Sequence, residues 1–195
     1  AYDRAYTSWN LGRCLEAQGR PAQAIEWQRR ALGEFERISK SANQQTGESA
    51  KKMAAACHVD WADNLTAIGQ FDEAQKHYET ALPTLREIDD LRSVGITLGQ
   101  LGTLALLRGD LAEAARRYSE TLETFRALGE PQMEAVAWHQ LGMVAEEARD
   151  WDEAERCYRE SLKLEEQMNH AEGVAQTCNQ LARVAQGAEG LQRLR

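Results

Sequence analysis

Residues 110–122 read DLAEAARRYSETL, and the same pattern occurs 40 residues earlier as QFDEAQKHYETAL (70–82) and 40 residues later as DWDEAERCYRESL (150–162). A looser copy, RPAQAIEWQRRAL, occupies 20–32. A fixed period of about 20 to 50 residues indicates a solenoid of small units, because no unit can bury its apolar face without a neighbour. The repeat therefore predicts a stacked array.

Composition and charge narrow the fold and the partners. The 195 residues include only 3 prolines, and the abundant unbranched side chains lose little rotamer freedom in a helix, so an all-α fold is expected. The net charge of −8, with scattered basic residues, argues against nucleic acid, which needs clustered Lys and Arg. No apolar run approaches the roughly 18 residues that span a bilayer, so no membrane partner is expected.

The chemistry-bearing residues show no pattern of a metal, cofactor or catalytic site. The four cysteines (14, 57, 157 and 178) lack CxxC spacing, and we expect free, mostly buried thiols. Cys57, His58 and Asp60 diverge on one helix, because such spacings do not converge. The glutamate pairs 146–147 and 165–166 are expected to form solvated faces. No metal, no cofactor and no enzyme activity are therefore predicted.

Aligning the copies divides each repeat into two helices. The first helix carries a small residue after Leu or Trp, at Gly12, Ala62, Gly102, Gly142 and Ala182. Twelve residues later comes an alanine, at 24, 74, 114 and 154, followed at intervals of four by Gln28 or a tyrosine and then by a leucine. This spacing makes one apolar stripe, and the small residues allow close helix crossing. Each repeat is thus predicted to be an antiparallel helical hairpin.

The turns inside the hairpins carry glycine. Gly19, Gly69 and Gly109 follow the first helices, where a left-handed residue closes a helix C-terminus. Arg149 replaces this glycine in the fourth repeat. The sequence predicts that its turn is strained or differently closed.

At these positions the sequence resembles the tetratricopeptide repeat family, with its Leu-Gly, Ala and aromatic positions at set intervals. The resemblance implies an α/α solenoid stacked in a right-handed superhelix, as a single array over 1–195. Its 40-residue period resembles the long repeats of kinesin light chains, spindle-orientation adaptors and bacterial signalling arrays. The expected repeats span approximately 2–40, 50–90, 91–129 and 131–169, with a partial fifth at 171–186.

Two irregularities interrupt the period. The polar stretch 39–49 inserts ten residues between the first and second repeats, either as an exposed loop or as longer neighbouring helices. Thr46 and Ser49 are capping candidates that favour a lengthened third helix. Pro83 lies inside a predicted second helix and is expected to bend it locally, because proline removes a helical hydrogen bond.

The resemblance implies that first helices line a concave groove for a partner peptide or helix. Its positions lie three or two residues before the small residue and one after it. The set two before consists of Asn10, Asp60, Gln100, Gln140 and Gln180. Such side chains could pair with a peptide backbone or instead with each other. The set three before the small residue supplies Trp9 and His139. The set one after it supplies Arg13, Asp63, Thr103, Met143 and Arg183.

Trp9 and Arg13 are the strongest expected anchors, because these residue types dominate binding hot spots. Trp9 could instead pack on a further hairpin preceding this sequence. The Lys and Asn set with which chaperone-binding relatives hold a C-terminal carboxylate is absent at these positions, so such a tail is not the expected partner.

The predicted function is that of a protein-interaction scaffold that binds a partner's peptide or helix in the cytoplasm. Two alternatives remain at this stage. Because the sequence begins at Ala1 within helical sequence, the chain could be the regulatory or sensor region of a larger bacterial signalling enzyme or protease. It could also self-associate through its end hairpins.

Overall fold

A computed structural model describes residues 1–41 and 43–192, and the side chains up to residue 187. Nine α-helices and no strand occur in these residues, which confirms the all-α prediction. The helices are α1 (Tyr2–Ala17), α2 (Pro21–Ser41), α3 (Gln44–Ala67), α4 (Phe71–Glu87), α5 (Leu91–Leu107), α6 (Leu111–Leu128), α7 (Pro131–Glu147), α8 (Trp151–Gln167) and α9 (Ala171–Gln192).

The chain divides into two compact units, and the division falls within α5. The N-terminal unit, Ala1–Thr97, contains α1 to α4, with α1 packed on α2, α2 on α3 and α3 on α4. The C-terminal unit starts at Leu98 and contains the remainder of α5 followed by α6 to α9, in which α7 packs on α6 and α8, and α8 on α9. Successive helices thus pair as the predicted hairpins.

The predicted apolar stripe of the second helices forms the core of both units. Its alanines, Ala24, Ala74, Ala114 and Ala154, are fully buried. Its aromatic rings are also buried, at Tyr78, Tyr118 and Tyr158. Leu162 is only half-buried.

The small residues of the first helices meet these rings. A Cβ atom added at Gly102 would lie 2.7 Å from Cε1 of Tyr118, and one added at Gly142 would lie 2.6 Å from Cε1 of Tyr158. Both distances are far shorter than carbon atoms tolerate. Glycine is therefore required there by the close packing of the ring against the helix backbone.

The turns close as predicted, including the one without glycine. Gly19, Gly69 and Gly109 have φ values of 70°, 78° and 77°, and Arg149 adopts φ 58°. The amide of Arg149 donates to the carbonyl of Glu146, as Gly109 donates to Leu106. The turn is therefore closed in the same way and is strained, because a side chain at positive φ is disfavoured.

The insertion lengthens the neighbouring helices. Helix α2 extends to Ser41 and α3 begins at Gln44. Thr46 and Ser49 do not cap α3. The cap is Asn43, whose Oδ1 accepts a hydrogen bond of 3.0 Å from the amide of Thr46, because asparagine is among the best N-cap residues and starts the helix earlier.

Three further predictions concern Pro83, the thiols and the membrane. Helix α4 continues through Pro83 to Glu87, and the local bend expected at Pro83 stays a prediction. The four thiols are free, but only Cys57 and Cys157 are buried. Cys14 and Cys178 are exposed, because no described helix covers the faces that carry them.

Within the described part of the chain, no helix combines the length and apolarity needed to cross a membrane.

Candidate partner-binding site

In the N-terminal unit, α1 and α3 bring three of the predicted groove residues together. The indole N–H of Trp9 donates a hydrogen bond of 2.6 Å to Oδ2 of Asp60. The guanidinium of Arg13 lies 5.0 Å from the centre of the Trp9 ring, within cation–π range. Tyr6 packs on the same ring with a centroid distance of 5.5 Å. Trp9 thus packs within its own unit, and it is half-buried.

Asp60 and Asp63 are half-buried acids in this cluster. Burial raises the pKa of Asp60 to about 6, while the Trp9 hydrogen bond acts in the opposite direction. Burial also raises the pKa of Asp63 to about 6, opposed by a hydrogen bond from Tyr78. That bond joins the tyrosine hydroxyl to Oδ1 of Asp63 at 2.5 Å. Asp63 is therefore held by the core ring of its own hairpin.

A cavity of about 180 Å³ lies beside Asp60. Val59 and Leu85 contribute apolar surface to it. Its basic and acidic groups include Lys52 and Asp90, whose charged atoms form a 2.9 Å ion pair. The charges at this cavity are thus partly satisfied within the chain.

The neighbouring residues Cys57 and His58 contribute separately to the structure. Cys57 lies in the apolar core, and burial raises its pKa. Nδ1 of His58 lies 2.8 Å from Nδ1 of His77, and burial lowers the pKa of His58 to about 4. The predicted divergence of Cys57, His58 and Asp60 is therefore observed.

In the C-terminal unit, several predicted groove residues bond within the chain. The hydroxyl of Thr103 lies 2.9 Å from that of Tyr118. Arg183 donates to Oε1 of Gln180 at 3.0 Å and pairs with Glu146 at 2.9 Å. The alternative of local pairing thus applies to these side chains. By contrast, the amides of three members of the polar set make no hydrogen bond with the described residues: Asn10, Gln100 and Gln140.

Helix α7 places three predicted residues in one cavity of about 230 Å³, namely His139, Gln140 and Met143. Nδ1 of His139 lies 3.1 Å from the hydroxyl of Thr177, and its ring packs against Tyr158 with a centroid distance of 5.2 Å. Burial lowers the pKa of His139, although Glu165 and Glu146 oppose the shift. Met143 is 37% exposed. This is the described cavity that gathers most of the predicted residues.

The sequence analysis missed Glu165, which lines this cavity. The prediction that Glu165 and Glu166 form a solvated face is wrong for Glu165, whose side chain is buried. The repeat register indicates burial at position 165, because the equivalent residues Phe35, Leu85 and Phe125 are buried. Glu165 occupies the same core position in the fourth hairpin.

No group of three or more His, Cys, Asp or Glu side chains is arranged to hold a metal ion in the described part of the chain. The cavities that contain predicted groove residues are the one beside Asp60 and the one beside α7. They are concave, mixed in polarity and formed by successive helices, which suits contact with another polypeptide.

Solved structures share this fold. BtubC from P. vanneervenii matches with a TM-score of 0.78 and 21% identity, over 93% of this chain and 72% of that one. Aspartyl phosphate phosphatase F from Bacillus subtilis matches with a TM-score of 0.82 and 12% identity, over 97% and 48%. Kinesin light chain-like repeats from Podospora anserina match with a TM-score of 0.75 and 15% identity, over 99% and 90%. At these identities the likeness shows the fold.

A comparison with curated protein sequences finds no significant match. Models of the tetratricopeptide repeat match residues 1–40, 54–127 and 135–167. The matched segments carry the hairpins described above, and this repeat is generally a non-catalytic scaffold for protein interaction. The chain therefore belongs to the tetratricopeptide repeat family.

Proposed function

We propose that this chain binds a peptide or helix of a partner protein along the first helices of its hairpins. The observation that supports this proposal best is the cavity beside α7. Three residues of that helix, His139, Gln140 and Met143, line it together, and the Gln140 amide makes no hydrogen bond to the described residues. An uncommitted amide offers both a donor and an acceptor to a peptide backbone.

The apolar part of the same surface supplies the contact area. Val136 and Met143 are 45% and 37% exposed, and both line the cavity. Exposed apolar side chains around a concavity are typical of surfaces that a partner covers. Methionine also adapts its shape to different ligands.

The proposal is tested by screening a displayed peptide library with the purified chain and measuring the affinity of the selected peptides. Replacing Gln140 and Met143 by alanine should weaken binding at least tenfold, about 1.4 kcal/mol. The matched control is Gln167→Ala, because Gln167 is an exposed glutamine of α8 that does not line the cavity. Equal affinities for the double variant and the control would contradict the proposal.

A further inference from the structure

The cavity beside α7 is lined by a buried acid at a position that is apolar in the other hairpins. Glu165 is 7% exposed and stands where Leu85 and Phe125 fill the core of earlier hairpins. The cavity of the N-terminal unit lies in the same register and is lined by Leu85. A carboxylate has therefore replaced an apolar side chain at one of two equivalent cavities.

The carboxylate of Glu165 is poorly satisfied within the chain. Its Oε2 atom is buried and has no hydrogen-bond partner among the described residues. Oε1 lies 3.3 Å from the hydroxyl of Ser161, but that hydroxyl also lies 2.8 Å from the carbonyl oxygen of Ala135. A serine hydroxyl donates only one hydrogen, and the shorter contact is with Ala135.

No basic side chain compensates this acid. The residues that line the cavity include neither Lys nor Arg, whereas the equivalent cavity of the N-terminal unit has Lys52 paired with Asp90. Gln132 takes the place of Lys52 in the repeat register. His139 faces Glu165, but burial lowers its pKa, and the other histidine of the lining, His170, makes no hydrogen bond to the carboxylate. Buried charges are costly unless they are paired.

A glycine of α9 packs directly against this carboxylate. A Cβ atom at Gly173 would lie 2.7 Å from Oε1 of Glu165 and 2.5 Å from Nδ1 of His170. The equivalent positions carry Met53, Ser93 and Met133. Gly173 thus lets the backbone of α9 pack closely against the carboxylate and the His170 ring.

We infer that this cavity takes a single basic side chain, Arg or Lys, of the partner peptide, with Glu165 as its counter-charge. The inference rests on the proposed function, because it names the chemistry of the peptide bound at that surface. Met143, Met168 and Val136 line the cavity and suit the aliphatic stem of such a side chain. The volume of about 230 Å³ is below the roughly 300 Å³ of the smallest drug-sized pockets and fits one long side chain.

The test titrates N-acetyl-arginine methylamide into the chain labelled with ¹³C at its methionine methyl groups. Met143 and Met168 line the cavity, whereas Met53 and Met133 do not and serve as internal controls. The signals of Met143 and Met168 should shift alone. N-acetyl-citrulline methylamide, the neutral analogue of nearly equal shape, should bind at least about fivefold more weakly, because it lacks the charge.

Two variants complete the test. Glu165→Gln should lower the affinity for the arginine probe to that for citrulline. Glu165→Leu restores the residue type found at Leu85, which keeps the test usable if a buried amide disturbs folding. Equal binding of both probes, unchanged arginine binding by both variants, or no shift of Met143 and Met168 at millimolar probe would overturn the inference.

The probe experiment separates this inference from the proposed function. If peptides are selected but the arginine probe leaves Met143 and Met168 unchanged, the basic-side-chain inference fails and the peptide-binding proposal stands. If the arginine probe behaves as expected but no peptide binds, the proposed function fails while the chemistry of the cavity is retained.

Discussion

The hydroxyl of Tyr78 donates a 2.5 Å hydrogen bond to Oδ1 of Asp63, so that a first-helix acid is fixed by the core ring of its own hairpin. Thr103 and Tyr118 form the equivalent pair in the next hairpin, with their oxygens 2.9 Å apart. One register of the predicted groove thus serves partly to join the two helices of each hairpin. The two pairs differ in charge, and this difference can be measured.

Tyr78→Phe should cost more stability than Tyr118→Phe. The first change removes a bond to a half-buried carboxylate and costs about 1.5 to 3 kcal/mol, whereas the second removes a neutral bond and costs about 0.5 to 1.5 kcal/mol. Urea unfolding at pH 7.5, followed by circular dichroism, measures both. Equal losses would show that the Asp63 carboxylate does not depend on Tyr78.

The stability effect of Asp63→Asn should depend on pH. The pKa of Asp63 is raised from 3.8 to about 6 in the folded chain, so the folded state binds this proton more tightly than the unfolded state. The associated stability is fully present below about pH 3.8 and is lost as the pH rises through 6. Asparagine carries no charge and accepts the same Tyr78 hydrogen bond.

Relative to the wild type, Asp63→Asn should therefore gain about 2 kcal/mol between pH 4 and pH 7.5. Paired urea titrations of the two proteins across this range give the difference directly. A difference that stays constant, or that grows as the pH falls, would refute the assignment of a raised pKa to this carboxyl.

The hairpins followed from the sequence because their determinants recur at constant spacing. Gly142 meets Tyr158 as Gly102 meets Tyr118, and Ala114 is buried like its equivalents, so the periodicity of these residues predicts the packing. The contacts of the groove side chains depend on individual neighbouring residues, which do not recur at the spacing of the repeat. Asp63 accepts a hydrogen bond from Tyr78. Met143 occupies the same register in its own hairpin but has no carboxylate that could accept such a bond.

Glu165 lies between these two cases. Its register, shared with Phe125, predicts burial, but the local Glu165–Glu166 pair is typical of an exposed face. The tertiary position decided the outcome. Residues that break a buried register are therefore the most informative candidates for function in a repeat, because a local rule is violated there.

Gln28 is a second exception to the core register. It occupies the position of Tyr78, Tyr118 and Tyr158, is fully buried, and neither amide atom has a hydrogen-bond partner among the described residues. Gln28→Met keeps the length of the side chain and removes both unsatisfied atoms. It should stabilise the chain by about 1 to 2 kcal/mol.

Thermal and urea unfolding measure this gain, with Gln23→Met as the matched control. Gln23 is an exposed glutamine of the same helix, and its replacement should change the free energy of unfolding by less than about 0.5 kcal/mol. A loss of stability in Gln28→Met would indicate that an ordered water satisfies the buried amide.

Arg149→Gly should stabilise the turn between α7 and α8. Arg149 holds φ 58° where Gly109 holds 77°, and a side chain in this conformation costs about 1 to 2 kcal/mol. Part of that gain is offset by the greater freedom of glycine in the unfolded chain. A net increase of about 0.5 to 1 kcal/mol is expected, while Gly109→Ala should cause a loss of similar size in the equivalent turn. Hydrogen exchange of the turn amides would reveal both changes, and a loss of stability in Arg149→Gly would contradict the strain at Arg149.

Glu165→Leu should raise the stability of the C-terminal unit even as it removes binding of a basic side chain. The substitution replaces a buried carboxylate with an unpaired Oε2 by the residue type that is 2% exposed at position 85. Replacing buried charges by well-packed apolar groups stabilises proteins by about 1 to 4 kcal/mol. The reverse change, Leu85→Glu, should destabilise the N-terminal unit by about 3 kcal/mol or more, because it buries an unpaired charge. Urea unfolding of both variants measures the pair of effects. If Glu165→Leu lowers stability, the carboxylate has a stabilising partner within the chain. The acid at this core position would then not be a charge that is kept at a cost to stability.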